Sequence, residues 1–343
     1  MGLQDIRNLS LEELVQYVRS VDENPYRATQ VFEWLYKRGA GRFEAMENLP
    51  LGLRERLKKN WALSNPVVVS QAVSHDGTIK FLFELNDKER VETVLIPAAS
   101  RKTVCVSTQA GCKFGCRFCA SGIGGWRRDL SCAEILGQIL HVKNITPGGL
   151  LSHIVFMGTG EPLDNYDNLL KVIRILNAPQ GLHIAARRIT ISTCGLIPKI
   201  KQLAQEGLQL ELAISLHGSN QETRTVLMPV NKKYPLDDLV RACRDYIRAT
   251  KRQITFEYIL IKDLTCTPRA AAELGQLLKG MLCKVNLIPY NKVEEFLYEP
   301  PSRRDIMTFQ ERLKALGVHA TVRMPRGRDV AAACGQLRHS ASF

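Results

Sequence analysis

The chain is short of the features that mark whole classes of protein. No apolar run approaches the roughly 18 residues that a bilayer span requires, and Met1 to Leu14 is polar and acidic rather than apolar. Ile6 stands where an acylated Gly2 would need Ser or Thr, so neither a secretory leader nor a myristoyl anchor is expected. Internal repeats and low-complexity segments are missing as well. At 45% hydrophobic and 24% charged residues, the composition excludes a disordered or collagen-like chain and leaves ample material for a core. A cytoplasmic protein without a membrane partner is expected.

Acid is the other shortage. Asp and Glu number 34 against 47 Lys and Arg, which leaves +13 over 343 residues. The deficit is local. Residues 101–128 carry Arg101, Lys102, Lys113, Arg117, Arg127 and Arg128 with no acid, and residues 302–343 carry eight basic residues against three acidic. Arg187 and Arg188 form a third basic run. One such run is commonly just a solvated face; three favour an anionic polymer as partner.

Patterning divides the chain into four parts. In residues 1–64, Ser10-Leu11-Glu12-Glu13 reads as a capping box opening a helix, and two more helices fit 26–38 and 51–61, giving a small helical module. In residues 65–101, strand-like runs at 67–69, 80–85 and 90–96 are separated by the turn signals Asp76-Gly77 and Asn86-Asp87, which predicts an accessory antiparallel sheet. Over residues 102–323, strands at 103–107, 153–157, 188–192, 210–216, 255–261 and 284–288 alternate with helices at 132–143, 168–176, 198–206, 237–249, 269–278 and 303–316. That alternation predicts an α/β fold with a parallel sheet, open or curled into a barrel of six units rather than the eight of a complete TIM barrel. Residues 324–343 form a basic C-terminal tail.

Ten cysteines in a reducing compartment do not suggest a disulfide framework. Three crowd into eight residues as Cys112-Lys113-Phe114-Gly115-Cys116-Arg117-Phe118-Cys119. Thiolates at this spacing can hold three irons of a 4Fe–4S cubane and leave the fourth iron open, and an open position distinguishes a catalytic metal site from a structural one. A zinc knuckle needs a fourth ligand nearby. Cys132 lies 13 residues beyond Cys119 and His141 falls within a predicted helix, so neither fits. Cys132, Cys194, Cys243, Cys266 and Cys283 read as structural thiols.

The triplet, with Phe118 just before its last Cys, resembles the signature of radical S-adenosylmethionine (SAM) enzymes. Further segments resemble one branch, the RlmN/Cfr family of RNA methyltransferases. They are Val104-Cys105-Val106-Ser107-Thr108-Gln109-Ala110-Gly111-Cys112, Gly158-Thr159-Gly160-Glu161-Pro162-Leu163 and Arg187-Arg188-Ile189-Thr190-Ile191-Ser192-Thr193. Ile214-Ser215-Leu216-His217, Asn286-Leu287-Ile288-Pro289 and Ala332-Ala333-Cys334-Gly335-Gln336-Leu337 complete the match, which runs from the N-terminal helices almost to the end.

The resemblance implies a partial (β/α)₆ barrel, in agreement with the six units counted above. It implies one 4Fe–4S cluster held by Cys112, Cys116 and Cys119, with SAM on the open iron and two SAM molecules used per turnover. Gly160, Glu161, Ser192, Ser215, Leu216, His217 and Asn291 match the family's SAM contacts. C2 and C8 of adenine are electrophilic, so a methyl cation cannot simply be handed to them. The family instead methylates a cysteine, matching Cys334, and a SAM-derived radical abstracts hydrogen from that S-methyl group. The methylene radical then adds to the ring, and a carboxylate matching Glu92 removes the ring proton. A thiol matching Cys105 attacks the bridging sulfur, releasing product and leaving a transient Cys105–Cys334 disulfide. The implied substrates are an adenosine of 23S rRNA and one of tRNA, the implied electron donor is a flavodoxin or ferredoxin, and a monomer is expected. Taken alone, Cys105 would read as a packing thiol, Glu92 as a solvent-facing strand residue and His217 as an ordinary hydrogen-bonded histidine.

Within the family, Pro162 resembles the C2 enzymes, whereas the C8 (Cfr) enzymes carry Ala there. Two segments depart from the family pattern. Lys292-Val293-Glu294-Glu295 follows Asn291 where Pro is usual, and only six residues follow Leu337. The competing readings are C8 methylation, a radical SAM enzyme acting on a small molecule, and a zinc-dependent RNA-binding module.

Overall fold

The computed structural model describes residues 2–338. The last five residues of the expected tail therefore lie outside the described residues.

Three helices open the chain: α1 (Leu11–Ser20), α2 (Tyr26–Tyr36) and α3 (Leu51–Asn60). The capping box closes as expected, with Ser10 Oγ accepting the Glu13 N–H and Glu13 accepting the Ser10 N–H at 2.6 Å. Each helix buries one stripe, Leu14 and Val18 on α1, Phe32 and Leu35 on α2, Leu53 and Leu57 on α3.

β1 (Val67–Val73), β2 (Ile79–Glu84), β3 (Arg90–Ala98) and β4 (Arg101–Cys105) follow, then a hairpin of β5 (Gln109–Gly111) and β6 (Trp126–Asp129). The alternating part runs α4 (Cys132–Ile145), β7 (His153–Phe156), α5 (Tyr166–Asn177), β8 (Ile189–Thr193), α6 (Ile197–Leu203), β9 (Glu211–Ser215) and α7 (Gln221–Leu227). It continues with α8 (Leu236–Thr250), β10 (Ile254–Leu260), α9 (Pro268–Leu278), β11 (Cys283–Pro289), α10 (Arg303–Ala315) and β12 (Ala320–Val322). Asn8 and Glu13 tie the N-terminal helices to this part: Asn8 Oδ1 accepts the Ala133 N–H at 2.9 Å and Glu13 pairs with Lys171 at 2.8 Å.

One sheet of ten strands carries the architecture, in the order β1-β2-β3-β4-β7-β8-β9-β10-β11-β12. From β4 onward every pairing is parallel, as the β-α alternation predicts; β1 to β4 pair antiparallel. The accessory strands join the parallel part edge to edge, with Val94 of β3 opposite Cys105 of β4. This continuity sets Glu92 of β3 beside the strand that bears Cys105.

Three elements escape the sequence pattern. The β5–β6 hairpin is too short for periodicity, α7 is seven mostly polar residues, and β12 adds a three-residue parallel strand beyond the six expected. Each is defined by what it packs on.

Candidate active site

The sheet encloses two chambers that meet. The upper, about 160 Å³, lies at the carboxyl ends of the strands, where βα barrels hold their ligands. The lower, about 610 Å³, lies among the amino ends and is rimmed by Arg101, Arg187, Lys284 and Arg326. Met157, Glu257, Ile288, Arg323 and Cys334 line both.

Cys112, Cys116 and Cys119 face the upper chamber from a loop whose ends are tied by the Cys112 N–H bonding the Gly125 carbonyl at 3.1 Å. Burial, with Cys119 opposite, pushes the Cys112 thiol up to about 12; burial and the two other thiols raise Cys116 further, and burial raises Cys119. Such thiols give up their protons on binding a metal. Among the described residues no three ligating side chains already converge on one point. The donor set nonetheless fits an iron–sulfur cluster: three soft thiols on one loop around one cavity.

Glycine is obligatory in the turn after β7. A Cβ on Gly160 (φ +102) would lie 2.5 Å from Gln109 Cβ, and one on Gly158 would lie 2.6 Å from Ser107 Oγ. The turn delivers Glu161 into the upper chamber, fully buried. Its Oε1 accepts the Leu163 N–H at 3.1 Å and its Oε2 the Cys194 N–H at 2.7 Å, so the carboxylate clamps the ends of β7 and β8. Burial raises its pKa, and these bonds oppose the rise.

Ser192 and Ser215 end adjacent strands with their hydroxyls 3.5 Å apart on the chamber wall. His217, at φ +54, accepts the Ile259 N–H on Nδ1 at 3.1 Å, which leaves the ring proton on Nε2. Burial, aided by Arg224, lowers its pKa to about 3, so the ring is neutral near neutrality. It packs edge-on against Phe118. Leu216 does not join this wall. Its side chain is in the core, its N–H bonds the Glu257 carbonyl and its own carbonyl accepts from Arg224. Asn291 lines the lower chamber, donating to the Cys334 carbonyl at 3.1 Å and accepting from Arg328 at 2.9 Å.

Cys105 and the tail that carries Cys334 come together from distant parts of the chain. Cys105 is buried with Val94, Ala332 and Leu337. Burial, with Cys334 close by, pushes its thiol up to about 12. Glu92 is buried rather than solvent-facing: Lys80 Nζ pairs with Oε1 at 3.0 Å and the Arg338 N–H donates to Oε2 at 2.6 Å. Burial raises its pKa against the pull of both.

Arg323, Glu257 and Arg224 were not anticipated as site residues. Arg323, just beyond β12, has its pKa raised chiefly by Cys334, with Glu257 and Cys105 adding to it. It had a signal, since it belongs to the C-terminal basic run. Glu257 is buried on β10; Asn286 donates to Oε1 at 2.9 Å, while Oε2 has no hydrogen-bond partner among the described residues. Arg224, fully buried, donates to the carbonyls of Leu216 and Cys194 and to Asn231 Oδ1. It gave no signal because α7 carries no periodicity.

Comparison with known proteins follows the same lines. The profile of the radical SAM superfamily matches residues 106–269, and that of the ribosomal RNA large subunit methyltransferase N-terminal domain matches residues 4–63. A curated protein of Clostridium tetani, "Probable dual-specificity RNA methyltransferase RlmN", is 49% identical over 97% of this chain and 95% of its own length. Its namesake from Geobacillus kaustophilus is 47% identical over 98% and 93%. The chain belongs to the RlmN family of radical SAM RNA methyltransferases. The crystal structure of a radical SAM methyltransferase from Sphaerobacter thermophilus, 42% identical, superposes with a TM-score of 0.95 over 98% of this chain and 100% of that one. Membership brings a 4Fe–4S cluster and SAM, and the expected partial barrel is the one observed. Among the described residues, no helix is long and apolar enough to cross a membrane.

Proposed function

We propose that this chain methylates C2 of adenosine 2503 in 23S rRNA and of adenosine 37 in tRNA, through methylation of its own Cys334. The observation that carries the proposal is the junction of the two chambers at Cys334, with Cys105 packed against Ala332 and Leu337 of the same tail. The upper chamber, with its three thiols, Ser192, Ser215 and His217, suits SAM on the cluster. The lower one is large enough for a nucleoside, and its cationic rim suits the flanking phosphates. RNA bases are best read when splayed out of the helix, which a lumen of this depth requires.

Bound together, the cluster and SAM supply a methyl group and a carbon radical. The chain does the rest. Cys334 takes the methyl by displacement, at a point where Arg323 lines the same two chambers. Its S-methyl group loses a hydrogen atom, the carbon couples to C2, and the adduct gives up one electron, which the oxidised cluster would take back. Glu92 accepts the ring proton, which requires the Arg338 N–H to leave Oε2. Cys105, protonated at rest, attacks the Cys334 sulfur as a thiolate; the sulfur–sulfur bond forms as the carbon–sulfur bond breaks, and the released carbon takes up a proton to become the methyl group. Pro162 favours C2 over C8.

Mapping the methyl group by mass spectrometry of digested rRNA and tRNA tests this reading. 2-Methyladenosine is expected from both, and 8-methyladenosine would refute it. Cys334→Ala should abolish RNA methylation while SAM cleavage persists; undiminished methylation in that variant would overturn the route through Cys334.

A further inference from the structure

We infer that the outer face of the cysteine loop is the docking surface for a small acidic one-electron carrier protein. The inference rests on the radical SAM reading above, because such a cluster receives one electron from outside for every radical it produces.

The loop is a thin cover. Cys112, Cys116 and Cys119 are half-buried, while Lys113, Gly115 and Arg117 between them are exposed. The side chains at 113 and 117 thus form a skin one residue away from the thiols. The return limb runs alongside: the Cys112 N–H bonds the Gly125 carbonyl, and a Cβ on Gly122 would lie 3.2 Å from Gly115 Cα. Ile123, Trp126 and Arg127 on that limb are exposed, the first two at 45% and 43%. The Arg117 N–H bonds the Leu227 carbonyl at 2.9 Å, which sets exposed Val226 at the margin. The face therefore carries exposed apolar side chains next to exposed cationic ones, with Lys113 over the Trp126 ring, a mixture that suits a protein docking site.

Its charge selects the partner. Asp164 pairs with Lys113 at 2.6 Å, and Asp129 accepts from Gln109 and Trp126. Arg117 and Arg127 have no side-chain hydrogen bond or ion pair among the described residues and present uncompensated positive charge. The rim suggested for RNA phosphates lies among the amino ends of the strands, whereas this face covers the cluster at the carboxyl ends. A negatively charged carrier is the complement. On docking, one electron passes from the reduced carrier to the cluster and the carrier is oxidised by one electron. No bond or proton moves.

The test uses the reconstituted holoenzyme, with reduced flavodoxin as the probe. Arg117→Glu combined with Arg127→Glu should weaken flavodoxin binding by about ten-fold or more in calorimetry, since rim charges steer association. Affinity for an RNA stem-loop substrate should stay within about two-fold, as neither residue borders the RNA chamber. SAM cleavage driven by dithionite should be unchanged, which also shows the variant folded and loaded. Unchanged flavodoxin affinity overturns the inference, and so does an equal loss of RNA affinity, which would make this an RNA surface. Should the unaltered protein fail to cleave SAM with dithionite, the radical SAM reading fails instead. Ile123→Ser provides a second variant without charge reversal, expected to weaken flavodoxin binding alone.

Discussion

At the scale of single residues, the two thiols of the proposed relay differ in setting. Cys105 sits in an apolar pocket with its thiol pushed up to about 12, whereas Cys334 adjoins a guanidinium. Cys105 is thus held back as a nucleophile until the adduct on Cys334 is within reach. Cys105→Ala should let methylation of Cys334 and coupling proceed but block release, so a covalent RNA–protein species accumulates on denaturing gels. Absence of that species would remove Cys105 from the route. Glu92 makes a prediction in pH. Burial raises it above the usual 4.5, against Lys80 and the Arg338 N–H, so it becomes a carboxylate only at a correspondingly higher pH. Single-turnover RNA methylation should therefore fall as pH drops through that raised value, and Glu92→Gln should abolish methylation at every pH. SAM cleavage measured in parallel separates this step from cofactor binding.

At the scale of elements, the tail is the part that matters most. It is held at three places. Asp76 in the β1–β2 turn accepts the Gly327 N–H at 3.1 Å, and Ser74 donates to Asp329 at 2.6 Å. The cysteine loop bonds the Gly335 and Leu337 carbonyls. The loop after Asn291 contributes the Lys292 carbonyl to Gln336 and Glu295 to Arg338. The segment after Asn291 therefore grips the tail. Burial would raise the Asp76 pKa, but hydrogen bonds from Thr78 and Gly327 override it and hold it at about 2, below its ordinary 3.8. A depressed carboxylate contributes stability that is complete above 3.8 and lost as pH falls through about 2. Asp76→Ala should thus do at neutral pH what acid does to the native chain, loosening the tail: faster amide exchange near Gly327 and slower self-methylation of Cys334. Exchange no faster than in the unaltered protein would place the hold elsewhere.

At the scale of the whole molecule, +13 of net charge has a direct consequence for RNA. Binding releases condensed counterions, so the logarithm of affinity should fall linearly with the logarithm of salt. Arg101→Ala and Arg187→Ala on the lower rim should each reduce that slope by about one, uniformly across RNA sequences. Fluorescence anisotropy across a salt series measures it, and a slope unmoved by both variants would mean that the lower chamber does not receive the RNA.

The sequence by itself determined the cluster triplet, the β-α alternation and the first helix's capping box, because each depends on neighbours within a few residues: ligand spacing, strand period, helix start. It also gave the family, and with it a role for Cys105 and Glu92 that their local patterns would not suggest, since a thiol or a carboxylate in an apolar strand looks the same whether it works or merely packs. Only the tertiary structure decided which of these residues meet. It joined the accessory strands to the barrel, folded the tail back so that Ala332 and Leu337 packed on Cys105 and the Arg338 N–H bonded Glu92, bonded Asn291 to the Cys334 carbonyl and left the Leu216 side chain in the core. It also brought in Arg323, Glu257 and Arg224. Their roles arise from side chains facing one another across a sheet that curls, a relation between residues far apart in the chain that no local pattern encodes.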